Sequence, residues 1–141
     1  MDHAELTDRA RRWLVEKGCF AVATERGDAT SRADVVGWAV GGSIAVEVKA
    51  HRGDYLREAS KAPSLVGLRR YYAFPAGSNG AQVAVKEVPE RFGVIWIDCV
   101  KVVVKRKSSL FAIDATLELR LLLAALGAGN CPPAGVWDYA I

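Results

Sequence analysis

The chain has 141 residues, 51% of them hydrophobic and 25% charged, with a formal net charge of +3. That length fits one domain, the apolar share excludes a disordered chain, and no apolar run reaches the ~18–20 residues that span a bilayer. A mild positive charge permits a polyanionic partner without requiring one.

The first residues, Met1-Asp2-His3-Ala4-Glu5, are polar and acidic and lack the basic start and apolar middle of a secretory signal. A cytoplasmic location is therefore expected. Cys19, Cys99 and Cys131 are odd in number and far apart. They suit neither a zinc knuckle nor a disulfide framework and are expected to be small buried or half-buried residues.

In chain order, Leu6, Ala10, Trp13 and Leu14 recur on one helical face, so residues 3–17 are expected to be helical. Asp2 stands three residues before Glu5, an acidic variant of the capping-box spacing, and Gly18 is the natural stop. Residues 20–24 read as a strand and 25–31 as a polar loop. Two β-rich runs, 33–40 and 43–50, flank Gly41-Gly42 and predict a hairpin. Residues 54–69 read as a helix interrupted at Pro63, with Asp54 as its N-cap. Residues 70–74 read as a strand and 75–81 as a loop, while 83–88 fits neither pattern cleanly. Residues 93–98 and 101–105 read as two further strands. Asp114 caps a last helix that Gly127 ends. The expected organisation is one domain over residues 1–126 and an irregular tail over 127–141. Helices mixed with strands in this order predict an α/β fold with a mixed central sheet.

The informative stretch is Ile44-Ala45-Val46-Glu47-Val48-Lys49-Ala50. It reads as a strand buried on both faces, yet it carries Glu47 and Lys49, which alternation points to the same side. A buried charge needs compensation. With Gly41-Gly42 as a two-residue loop, Val40 faces Ser43, Asp34 falls opposite Lys49, and Val36 falls opposite Glu47. Asp34, Glu47 and Lys49 then share one face. Two carboxylates with several waters suit Mg²⁺. A lysine beside them would orient a water or balance phosphate charge, the layout for metal-assisted phosphodiester hydrolysis. The competing reading is a structural Asp34–Lys49 cross-strand pair with Glu47 on a solvated face.

Ala33-Asp34, the hairpin, and Glu47-Val48-Lys49, with helices before and after, resemble the PD-(D/E)XK nuclease superfamily. The first motif has Ala33 where the family often has proline. The likeness extends over about residues 5–107. It is similar to archaeal Holliday junction resolvases, to MmcB-like DNA repair proteins and to phage-borne nuclease domains. It implies a restriction-endonuclease-like core of order α-β-β-β-α-β. It also implies metal binding by Asp34, Glu47 and the carbonyl of Val48, with Mg²⁺ or Mn²⁺ as the ion, and Lys49 as the catalytic lysine. Glu5 is open between a metal ligand on the first helix and the capping role. Lys61 is open between a site residue and a solvated helix charge, and Glu25 is a weaker candidate.

The expected activity is a metal-dependent endonuclease acting on DNA in repair, recombination or phage DNA processing, selecting structure rather than sequence. The alternative is a non-catalytic nucleic-acid-binding domain of the same fold. His51, Arg52 and Lys61 would line the entrance, and Arg69, Arg70, Lys105, Arg106 and Lys107 would contact phosphates. For the residues from Lys101 to Lys107, protection of a sheet edge is the competing reading. His3 and His51 are too few and too separated to suggest a histidine metal site. Trp13, Trp38, Trp96 and Trp137 are core candidates, with Trp38 also able to flank the site. The last helix, apolar nearly all round, packs into the core or forms a homodimer contact.

Overall fold

The computed structural model describes residues 1–24, 33–51, 53 and 66–127. Its elements are α1 (His3–Glu16), β1 (Ala21–Thr24), β2 (Val35–Ala39), β3 (Gly42–Val48), β4 (Arg69–Pro75), α2 (Asn79–Glu87), β5 (Gly93–Ile97), β6 (Val102–Arg106) and α3 (Ala115–Gly127). Most of the helix expected over 54–69 lies outside the described residues, as do the loop over 25–31 and the tail beyond Gly127. Arg69, expected at the end of that helix, instead opens β4.

The strands form one sheet in the order β1-β2-β3-β4-β5-β6. β1, β2 and β3 are antiparallel neighbours, β3, β4 and β5 run parallel, and β6 returns antiparallel on β5. The fold is thus α/β with a mixed sheet flanked by helices, as the order of elements predicts. None of the described helices is long and apolar enough to cross a membrane.

Both faces are covered. On one, Leu6, Ala10, Trp13 and Leu14 of α1 pack with Val35, Val46, Val48, Ala73, Ile95 and Ile97. On the other, Ala125 of α3 packs with Ala21, Val36, Trp38 and Ala45, and Ala81 and Ala84 of α2 pack with Phe74 and Val94. The two sets alternate along each strand, as the pleat requires. Burying each large side chain contributes about 1.5–3 kcal/mol. α1 begins as its sequence predicts, with the Asp2 carboxylate accepting from Glu5 N (2.8 Å) and the Glu5 carboxylate accepting from Asp2 N (3.0 Å). α2 was not legible as a helix. It starts at the Ser78 N-cap, whose hydroxyl accepts from Ala81 N at 3.1 Å, inside a stretch whose Pro, Gly, Ser and Asn content reads as loop.

The hairpin register corrects the expectation. Ala39 pairs with Gly42, so the loop is Val40-Gly41 rather than Gly41-Gly42. Gly42 carries the positive φ of +117°, and a Cβ there would meet Leu68 Cδ2 at 2.5 Å. Each partner moves by two residues: Val35 faces Val46 and Val36 faces Ala45, so continuing the ladder sets Glu47 opposite the segment entering β2 at Asp34. The cysteines divide. Cys19 is buried beneath Gly37, and burial pushes its thiol up to about 11, while Cys99 is exposed. Cys131 lies outside the described residues.

Candidate functional site

β3 is central, so its apolar residues are buried from both sides, and its last turn of side chains carries the charges. Lys49 N donates to Ala73 O at 2.8 Å, which extends the parallel ladder one residue beyond β3. Alternation then sets Glu47 and Lys49 on the face opposite α1. Lys49 is 3% exposed and its Nζ lies 3.1 Å from Glu47 Oε1. An ammonium this deep is stable only when paired and hydrogen-bonded. Among the described residues, Lys49 pairs with Glu47 on its own strand, where the sequence also allows a cross-strand Asp34–Lys49 pair.

Asp34 arrives differently from the expected route. Its N–H donates to Val46 O at 3.1 Å, while Val46 is already the register partner of Val35. Two residues against one is the arrangement of a β-bulge, which re-aims a side chain. Asp34 therefore leaves the face of Glu47 and Lys49 and turns to the strand edge and to α1. Its Oδ2 accepts from Val48 N at 2.7 Å, and its Oδ1 lies 3.2 Å from Nε2 of His3 in the first turn of α1. Asp34 is 5% exposed. The N–H and C=O of a strand residue leave the chain on the same side, so the Val48 carbonyl points to the edge that Asp34 occupies. Asp34 reaches the end of β3 from the α1 side through the Val48 amide, while Glu47 and Lys49 pair on the other face of the same strand.

His3 is the residue that sequence reasoning missed. The signal was its spacing: His3, Leu6, Ala10 and Trp13 stand at i, i+3, i+7 and i+10, so His3 continues the buried stripe of α1 to its first turn. Glu5 lies about 200° around the helix from His3 and its carboxylate is held in the capping box. Among the described residues no group of three or more His, Cys, Asp or Glu side chains is gathered closely enough to hold a metal ion.

The expected phosphate contacts scatter. His51 is exposed just beyond Lys49. Arg52, Lys61 and Glu25 lie outside the described residues. Arg69 pairs with Ile44, three rows below Glu47, and its Nη1 donates to Gly41 O at 3.4 Å. Arg70 is buried. Its Nε donates to Gly67 O (2.9 Å), its Nη2 to Ala112 O (2.7 Å), and it stacks over Phe111 at 4.6 Å. Burial also lowers the pKa of its guanidinium, opposed by the nearby Glu118 carboxylate. Arg106 donates to the carbonyls of Phe92, Val85, Val88 and Pro89, clasping the end of α2. Lys105 lies over the Trp96 ring at 4.4 Å, and Lys107 is exposed. Arg70 and Arg106 are thus committed to backbone carbonyls, a role that sequence charge alone does not reveal. Trp38 is buried under α3 and presents no ring for stacking.

The chain matches no known family model and no curated protein at a significant level. It is similar to a solved structure, the SPO1766 protein of unknown function from Silicibacter pomeroyi. The two are 18% identical and superpose with a TM-score of 0.68 over 88% of this chain and 85% of that one. That likeness establishes the arrangement of elements as one that a second, distant sequence also adopts.

Proposed function

We propose that the chain is a metal-dependent nuclease with a restriction-endonuclease-like core, cutting phosphodiester bonds in DNA at the end of β3. The observation that carries this reading is the buried Lys49–Glu47 pair beside Asp34 on the amide of Val48. The end of one central strand carries a carboxylate on its amide edge and a second carboxylate paired with an ammonium, where an ordinary sheet would place apolar residues. The order of elements supports it too: one helix, three antiparallel strands, then a fourth parallel to the third.

The donor set fits a hard divalent cation. Asp34, Glu47 and the Val48 carbonyl are all oxygen donors, and Mg²⁺ typically takes one or two carboxylates and keeps several waters. A carboxylate offers about four lone-pair positions, so accepting a hydrogen bond does not preclude binding an ion. When bound, the ion would polarise a phosphate and lower the pKa of a water. The chain's own residues supply the rest. Val48 N–H fixes the orientation of Asp34. Glu47 holds the Lys49 ammonium at the strand end, where Lys49 balances phosphate charge and orients the attacking water. Burial strengthens both interactions, Asp34 being 5% and Lys49 3% exposed.

The test is cleavage of single-stranded, duplex, flap and four-way-junction DNA with Mg²⁺, with Mn²⁺ and with chelator. Metal-dependent cutting that falls by about 10²–10⁴ in Lys49→Ala is expected. A folded wild-type protein that binds these DNAs and cuts none of them would make the chain a binding domain instead.

A further inference from the structure

We infer that Arg9 is a phosphate-binding residue, gripping with Lys101 a stretch of nucleic-acid backbone that flanks the bond cut at Asp34, and so setting the nucleic acid on the α1 side of the sheet. This deepens the nuclease reading and rests on it. Arg9 stands three residues after Leu6 and four before Trp13, at the flank of the buried stripe of α1. It leans to the end of β5. There the amides of Lys101 and Val100 hold the Asp98 carboxyl below the usual carboxylate range, and the charges of Lys101 and Arg9 add to this. β5 is two strands from β3, about 10 Å, and β6, which begins after Lys101, is the next. A nucleic-acid strand running along this end from Asp34 therefore passes Arg9 before it reaches Lys101. At ~3.4 Å per phosphate along a duplex, Arg9 meets it about three nucleotides from the cut.

The Arg9 guanidinium has donors to give. Among the described residues its Nε is buried without a hydrogen-bond partner, whereas its helix neighbours Arg11 and Arg12 both donate to Asp8. Arg70 and Arg106 are committed to backbone carbonyls. The carboxylate beside Arg9 is committed too: Asp98 Oδ1 accepts from the amides of Val100 and Lys101, both at 2.7 Å, which fixes the turn that carries Lys101. A buried donor without an acceptor is costly, and it persists in a folded chain where a water, an ion or a ligand completes it. A phosphate suits this one. A guanidinium presents its donors in a fixed fork that meets two phosphate oxygens at once. Two cations around one carboxylate also leave a net positive charge at this corner of the sheet, which favours an anion.

The test is binding of a fluorescent DNA duplex to the intact chain over a range of salt, with chelator present so that nothing is cut. Arg9→Ala and Arg9→Met should each weaken binding about tenfold, the worth of one charged hydrogen bond. Each should also flatten the slope of log K against log salt by about 0.9. Arg9→Met keeps the apolar stem and removes the fork, so it should melt no lower than the wild type, and circular dichroism checks that both variants fold. Arg9→Lys keeps the charge and should keep the slope. Arg12→Ala, whose guanidinium is held by Asp8, should change neither affinity nor slope. A single uncharged methylphosphonate, scanned along the duplex on either side of the cut, should weaken the wild type at a position where it leaves Arg9→Ala unaffected. An unchanged slope in both Arg9→Ala and Arg9→Met, or a scan in which wild type and Arg9→Ala respond alike at every position, would overturn the inference. So would an Arg9→Lys slope as flat as that of Arg9→Ala. If Lys49→Ala still abolished metal-dependent cleavage in those cases, the nuclease reading would stand without it. A folded wild type that neither binds nor cuts DNA would overturn both.

Discussion

At Lys49 the question is why a strand should bury an ammonium at all. Its partner Glu47 is on the same strand two residues away, at 3.1 Å, with 18% of its side chain exposed. Desolvating such a pair costs several kcal/mol per ion, and well-packed apolar replacements are often neutral or stabilising. The double variant Glu47→Gln with Lys49→Met is therefore expected to melt no lower than the wild type and to have lost metal-dependent cleavage. Lys49→Ala alone, which removes the ammonium 3.1 Å from the Glu47 carboxylate, should lose up to about 3 kcal/mol in a denaturant titration. A double variant that unfolded would mark the pair as structural. Both residues stood out in the sequence because charges inside an apolar β run need compensation, which left a structural ion pair and a metal site as competing readings. Asp34 was legible as a candidate but not in its orientation, since a bulge shows only in the hydrogen bond from Asp34 N to Val46 O.

The elements are tied together by a second buried carboxylate. α3 is apolar over most of its length, and its one buried charge is Glu118. Glu118 Oε2 accepts from Ser43 Oγ and from Gly67 N, each at 2.8 Å, and Ser43 Oγ accepts in turn from Leu68 N at 2.9 Å. The network pins α3 to the first turn of β3 and to the segment entering β4. It fixes which way an otherwise featureless apolar helix is rotated: Leu117, Leu121, Leu122 and Leu126 pack inward, while Leu119 and Leu123 stay exposed. Glu118→Ala leaves a buried hydroxyl and a buried amide without their acceptor. It should cost roughly 2–4 kcal/mol, read as a shift in the denaturation midpoint at unchanged slope. Glu118→Gln keeps an acceptor and should lose less. Existence of the helix was legible from Asp114 and Gly127, and Leu117 N does donate to Asp114 Oδ1 at 3.0 Å. The Glu118 network was not, because its partners lie 75 and 51 residues away along the chain. The hairpin shows the opposite case: two adjacent glycines marked the turn, but the register, with Ala39 opposite Gly42, sets Gly42 rather than Gly41 at positive φ.

Across the whole molecule, the sheet sorts the basic residues by end. β3, β4 and β5 run parallel, so Lys49, His51 and the residues after Ile97 lie beyond the same end of the sheet. Lys101 joins them. Asp98 turns its carboxylate onto the amides of Val100 and Lys101, both at 2.7 Å, and Val102 pairs with Ile97, which leaves the Lys101 side chain exposed at that end. Lys107 follows the opposite end of β6, about 20 Å away at ~3.3 Å per residue. A duplex phosphate backbone laid across the Lys49 end would meet Lys101 three strands over, about 14 Å from β3, and would miss Lys107. Each neutralised phosphate contributes about −0.9 to the slope of log K against log salt for duplex DNA. Lys101→Ala should therefore flatten that slope by about one and weaken binding uniformly across sequences, while Lys107→Ala leaves it unchanged. Arg70→Ala should lower the melting temperature by removing a guanidinium that bonds the carbonyls of Gly67 and Ala112, with no change in slope for the protein that remains folded. The reverse pattern, with Lys107 setting the slope and Lys101 silent, would put the nucleic acid along the β6 edge and away from Asp34, Glu47 and Lys49.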